Sequence, residues 1–199
     1  MGTIIIPVGR SLGPFFDDKG ELESYELHLG PSTASLDEDD MGVWACAHDE
    51  PDAHGELAFD RAKLREAVRD ATEGFPDEET DAAIERLLEA GALLELDPEG
   101  PVEDVLRAHR FIPGGHGFGN RPDAPDECGI GPADEPVVSM SGWVYSLWAR
   151  SYLDGSIWAA AEAFAADLDD VTAEDIAREF LEALPVIISV DCGYLEPLD

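Results

Sequence analysis

Lysine is almost absent from this chain: Lys19 and Lys63 are its only two in 199 residues. With arginine included there are 12 bases against 45 acids, a formal net charge of −33. Phosphate contacts need Lys and Arg. The stretches DEETDAAIERLLEA and TAEDIAREFLEAL, read as helices that would enter a groove, carry one arginine each against at least four acids, so direct binding of duplex DNA is not expected. Long apolar runs are missing too, which argues against a membrane-spanning helix. The opening MGTIIIPVGR is too short and polar for a signal peptide, and Ile6 stands where a myristoylation signal needs Ser or Thr. A cytoplasmic protein is therefore expected. Cysteine is scarce, with Cys46, Cys128 and Cys192 odd in number and far apart. That spacing excludes a disulfide framework and a CxxC metal knuckle, leaving buried free thiols. No GxSxG, HExxH or Walker pattern occurs, so no catalytic residue is assigned and no enzyme activity is expected.

What the chain does have is a core and a coat. Hydrophobic residues make up 44% of it, enough for a globular interior. Residues 1–100 carry 26 acids and 7 bases (−19), and residues 101–199 carry 19 and 5 (−14). The acidity is thus spread over the whole length, as expected of a solubility or salt adaptation; mimicry of a nucleic acid is the functional alternative. His48 and His54 bracket Asp49, Glu50 and Asp52, donor types that suit zinc or manganese. Nothing elsewhere in the sequence mirrors that group, so neither a metal nor another cofactor is expected.

The sequence is written twice. IIIPVGRSLG (Ile4 to Gly13) matches RFIPGGHGFG (Arg110 to Gly119) at an offset of 106, and ELHLGPS (Glu26 to Ser32) matches ECGIGPA (Glu127 to Ala133) at 101. LLEA (Leu87 to Ala90) then matches FLEA (Phe180 to Ala183). The shared order predicts one repeat over 1–98, a short helical linker over 99–109 and a second repeat over 110–199. RFIPGGHGFGN could cradle a phosphate, but the acidic RPDAPDE follows it instead of a helix. What the two copies share is Ile-Pro and two glycines, so the stretch reads as a turn leaving a strand.

Each repeat is expected to be α+β. TIIIPV and SYELHLG read as strands, and Asp37 caps a Trp44-bearing helix. A second helix runs from about Phe59 to Thr72, and a third buries Ala83, Ile84, Leu87 and Leu88 before Gly91. In the second repeat Ser139 is expected as a cap, Thr172 opens a capping box with Asp175, and Pro185 closes the last helix. Trp143, Tyr145, Trp148, Tyr152 and Trp158 crowd together there, too many for one helix face.

Two winged-helix-like modules in tandem, each an N-terminal β-hairpin, three helices and a C-terminal strand or wing, fit this order. The residues Tyr25-Glu-Leu-His-Leu-Gly30, Leu36-Asp37, Val43-Trp44 and Ile84 to Leu94 more narrowly resemble the PqqD-like module that recognises leader peptides. That resemblance implies an extended peptide added to the edge of the N-terminal sheet and resting on the third helix. Carried over, it implicates Tyr25, Leu27 and Leu29 with Ile84 and Leu87, and in the second repeat Glu127 to Ile130 with Ile176 to Leu184. Arg61, Arg65 and Arg69 recur every four residues as a stripe that either pairs with acids such as Glu66 and Asp70 or docks a partner. The expected function is a non-enzymatic adaptor binding a peptide or protein. The alternatives are a winged-helix transcriptional regulator and an acidic DNA mimic.

Overall fold

The computed structural model describes residues 2–72 and 74–198. The fold is α+β. Its first half opens with β1 (Ile4–Pro7) and continues through β2 (Arg10–Phe16), β3 (Leu22–Leu29) and β4 (Ser32–Leu36). Then come α1 (Glu38–Cys46), α2 (Pro51–Gly55), α3 (Arg61–Ala71), α4 (Asp77–Glu89) and β5 (Leu93–Leu96). After α5 (Glu103–Ala108) the second half repeats the order with β6 (His109–Pro113), β7 (His116–Arg121), β8 (Ala124–Gly131) and β9 (Val138–Ser141). It ends with α6 (Gly142–Arg150), a 3₁₀ turn at Ser151–Leu153, α7 (Ile157–Ala165), α8 (Ala173–Ser189) and β10 (Gly193–Pro197).

Both halves use their strands alike. The first strand leaves its sequence neighbours and pairs antiparallel with the last, β1 with β5 and β6 with β10. The next three form an antiparallel meander, β2-β3-β4 and β7-β8-β9. The expected N-terminal hairpin is thus a three-stranded sheet, and the opening strand lies outside it. Local signals explain the helices. Asp37 accepts from the Asp40 amide at 2.8 Å, and Thr172 and Asp175 close the reciprocal box. Ser141 caps α6, not Ser139, which sits within β9.

Two sequence alignments shift. Arg10 pairs with His28 and His116 with Gly131, so Leu27 corresponds to Ile130 at an offset of 103. At the helix ends, the Ala92 amide donates to the Leu87 carbonyl and the Cys192 amide to the Ile187 carbonyl. Leu87 therefore corresponds to Ile187, at an offset of 100, and Phe180 lies two turns too early. Pro185 is inside α8, whose 17 residues run on past it. The proline removes one backbone donor from the helix without ending it.

The hydrophobic core is continuous through both halves. The Gly9 amide donates to the Leu195 carbonyl at 2.8 Å, and Val8 bridges Leu195 in parallel. Glu196, 2% exposed, meets His28 Nε2 at 2.9 Å and pairs closely with Arg110. Gly55 of α2 packs on Val186 of α8, and the Arg178 guanidinium donates to the carbonyls of Pro98 and Gly100. The linker helix α5 rests on the second half, with Arg107 bound to Glu162 at 2.8 Å and lying over the Trp158 ring. No helix among the described residues is long and apolar enough to cross a membrane.

Candidate interaction surfaces

The fold places the expected contact residues away from any partner. Leu27, Leu29, Ile84 and Leu87 are buried in the core. Tyr25 is half-buried and lies in β3 between Pro14 of β2 and Leu36 of β4. As the central strand, β3 has both ladders filled, so no peptide can be added there; the open edges of this sheet belong to β2 and β4. β8, which holds Glu127 to Ile130, is likewise central in its own sheet, and Ile176, Phe180 and Leu184 are buried.

The arginine stripe points at the protein's own carboxylates. Arg61 grips Glu95 through Nε at 3.0 Å and Nη2 at 2.6 Å, and also reaches Glu85. Arg65 meets Asp81 at 2.6 Å, Arg69 meets Asp77 at 3.1 Å, and Lys63 meets Glu66 at 2.8 Å. The pairing expected within α3 therefore runs mostly from α3 to α4 and β5. The Arg61 guanidinium holds the Glu95 carboxyl below its ordinary range. Exposed pairs of this kind contribute about 0.2–1 kcal/mol each, and like charges facing each other cost similar amounts. An Arg61→Glu/Arg65→Glu/Arg69→Glu variant is expected to lose roughly 2–3 kcal/mol, read as a lower urea midpoint at unchanged slope. Added salt should shrink that loss by screening the new repulsions.

The candidate metal group does not assemble. The His54 ring is buried, stacks on Phe59 with centroids 4.1 Å apart, and contacts the Ala47 carbonyl through Nε2 at 3.1 Å. Burial pushes its pKa down to about 4. His48 Nδ1 lies 3.2 Å from the Trp44 carbonyl. Among the described residues no three His, Cys, Asp or Glu side chains converge as a metal site. Cys46 and Cys192 are buried with thiols pushed up to about 11, chiefly by burial, so they are unreactive at neutral pH.

Two other surfaces stand out. The first is the β2–β3 hairpin, whose sequence FFDDKGEL is a strand-turn signal that a search for repeats passes over. Asp17 builds the turn by accepting from the amides of Lys19 (2.7 Å) and Glu21 (2.9 Å). On this hairpin Leu12, Phe15, Phe16 and Leu22 are 41–59% exposed. The acids Asp18, Glu21 and Glu23 flank them. The counterpart hairpin of the second half exposes Phe118, and elsewhere Trp143, Tyr152 and Leu153 are exposed while Trp148 and Trp158 are buried.

The second surface is a cleft of about 540 Å³ where the halves meet. Gly9, Arg10 and Ser11 of the first half face Ile112, Pro113 and Gly114 of the second across it, with Trp44 and Tyr194 also lining it. The glycine-rich stretch of the second repeat thus supplies cleft wall at Pro113-Gly114. The Arg10 guanidinium lies 5.8 Å from the centroid of the Tyr194 ring. No protein-family model matches this chain, and the comparisons found no matching curated protein or solved structure.

Proposed function

We propose that the protein is a non-enzymatic adaptor, built from two winged-helix-like modules, that binds a protein or peptide through the β2–β3 hairpin. The observation that carries this reading is the clustering of Leu12, Phe15, Phe16 and Leu22 on one turn-stabilised hairpin. Four large apolar side chains held in water on one projection have a solvation cost that a partner's pocket would remove. Aromatic side chains of this kind are favoured anchors at interfaces. The neighbouring acids call for a basic rim around that pocket, which adds steering and salt sensitivity. Contact with duplex DNA fits poorly, since α4 opens with Asp77, Glu78 and Glu79 and most bases are already paired.

Selection of random displayed peptides on the immobilised protein tests this. Enriched sequences are expected to combine Phe, Trp or Leu with Lys or Arg, and to bind a Phe15→Ser/Phe16→Ser variant at least about tenfold more weakly, a change of roughly 1.4 kcal/mol. A Tyr152→Ser/Leu153→Ser control should retain binding. Equal affinity for the Phe15/Phe16 variant and the parent would remove the hairpin from the reading.

A further inference from the structure

The cleft between the halves holds two charges of opposite sign that have no ion pair among the described residues. Among the described residues, nine of the 12 bases have a carboxylate within 4 Å: Lys63 and every arginine except Arg10 and Arg150. In a chain with 45 acids, a cation without such a partner is unusual, and among the described residues Arg10 is the only cation lining the cleft. The Tyr194 ring supports its guanidinium without neutralising it.

Asp191 lines the same cleft and has no ion pair among the described residues. Its backbone is left-handed, φ 56°, in the turn just after α8, so the carboxylate is held beside the negative end of that helix. Asp191 also lies close enough to His48 to act on its titration. Burial pulls the His48 pKa below its ordinary value, so the imidazole is neutral. Its Nδ1–H then donates to the Trp44 carbonyl, and Nε2 is left as an acceptor. The cleft therefore offers one cation, a set of acceptors that includes a carboxylate, and an apolar surface from Trp44, Ile188 and Tyr194. Arg10 and Asp191 share this space without pairing with each other.

From this arrangement we infer that the cleft binds a short apolar peptide with free ends, its carboxylate on Arg10 and its ammonium on Asp191. The volume, about 540 Å³, lies within the range of small-ligand sites and exceeds what one side chain fills. A doubly charged phosphate is disfavoured because Asp191 would repel it. The site takes Arg10 and Ser11 from the start of β2 and uses none of the exposed apolar residues Leu12, Phe15, Phe16 and Leu22 further along the hairpin.

Calorimetric titration of the full chain with the dipeptide Leu-Leu tests the assignment, with N-acetyl-Leu-Leu and Leu-Leu-amide as comparisons. Saturable binding of Leu-Leu is expected, weakened at least about tenfold by blocking either end. Arg10→Gln should weaken Leu-Leu by a similar factor and leave the amide form unaffected. Asp191→Asn should do the same for Leu-Leu and leave the acetylated form unaffected; asparagine tolerates the left-handed backbone there. Both side chains are exposed, so unchanged unfolding midpoints are expected. Absence of saturable binding at millimolar dipeptide, or equal affinity for a blocked and a free end, would overturn the proposal. Phe15→Ser/Phe16→Ser should bind Leu-Leu normally, which separates a failure here from a failure of the hairpin reading.

Discussion

Arg110→Met is expected to cost about 2–3 kcal/mol of stability, while the double variant Arg110→Met/Glu196→Met recovers part of that loss. Glu196 is buried near the chain's end, in β10, and its two partners come from different halves: Arg110 from β6 and His28 from β3. Without Arg110, the carboxylate keeps only His28 and remains out of water. A fully buried pair broken in this way costs about 3–5 kcal/mol. The smaller figure applies because Arg110 itself is 40% exposed and one partner remains. Replacing both residues removes the uncompensated charge and leaves two apolar side chains opposite each other in the β6–β10 pairing. If the double variant is no more stable than Arg110→Met in urea unfolding, the charge is not the source of the loss.

The same contact ties the two halves together. Glu196, the Gly9 amide on the Leu195 carbonyl and the α2–α8 packing all cross between them. None of these is visible in a repeat alignment, which compares the halves without saying how they touch. What the sequence did show was local. Caps at Asp37 and Thr172 need only four consecutive residues, and both formed. The alternation of Tyr25, Leu27 and Leu29 marked a half-buried strand, yet not that β2 and β4 would cover both its edges. Those two strands were hard to read because RSLGPFF contains glycine and proline and STASL is small and polar.

The misplaced alignments have a physical cause. Leu27 rather than Leu29 corresponds to Ile130, a slip of two residues, which is the side-chain period of a strand. Leu87 corresponds to Ile187 rather than Phe180, a slip of seven, close to two helical turns. Each wrong match keeps the apolar face where it belongs, so hydrophobic pattern alone cannot detect it. Hydrogen-bond partners can. The arginine stripe shows a related limit, since its spacing was legible but the acids it faces lie on α4 and β5, brought there by tertiary packing. The cleft could not be seen at all, being assembled from four separated segments.

Two glycine pairs now provide a test of the duplication that is independent of any pattern. Gly9 and Gly115, 106 residues apart, have φ of 86° and 69°, and Gly13 and Gly119 have 91° and 65°. All four lie in the left-handed region, where a side chain costs about 1–2 kcal/mol. The pairs differ in their surroundings. A Cβ on Gly9 would sit 2.6 Å from the His28 carbonyl oxygen, and one on Gly115 would sit 2.5 Å from that of Gly131. Those oxygens belong to the sheet strands β3 and β8, where His28 is paired with Arg10 and Thr33 and Gly131 with His116, so neither backbone moves away freely. A Cβ on Gly13 or Gly119 meets nothing within 4 Å. Gly9→Ala and Gly115→Ala are therefore expected to cost at least about 3 kcal/mol each, and Gly13→Ala and Gly119→Ala about 1–2. Chemical denaturation of the four single variants measures this directly. Equal losses within each pair and unequal losses between pairs would show that both repeats keep these glycines for the backbone path out of the first strand. A large loss at only one member of a pair would mean that the two turns, though similar in sequence, carry different loads.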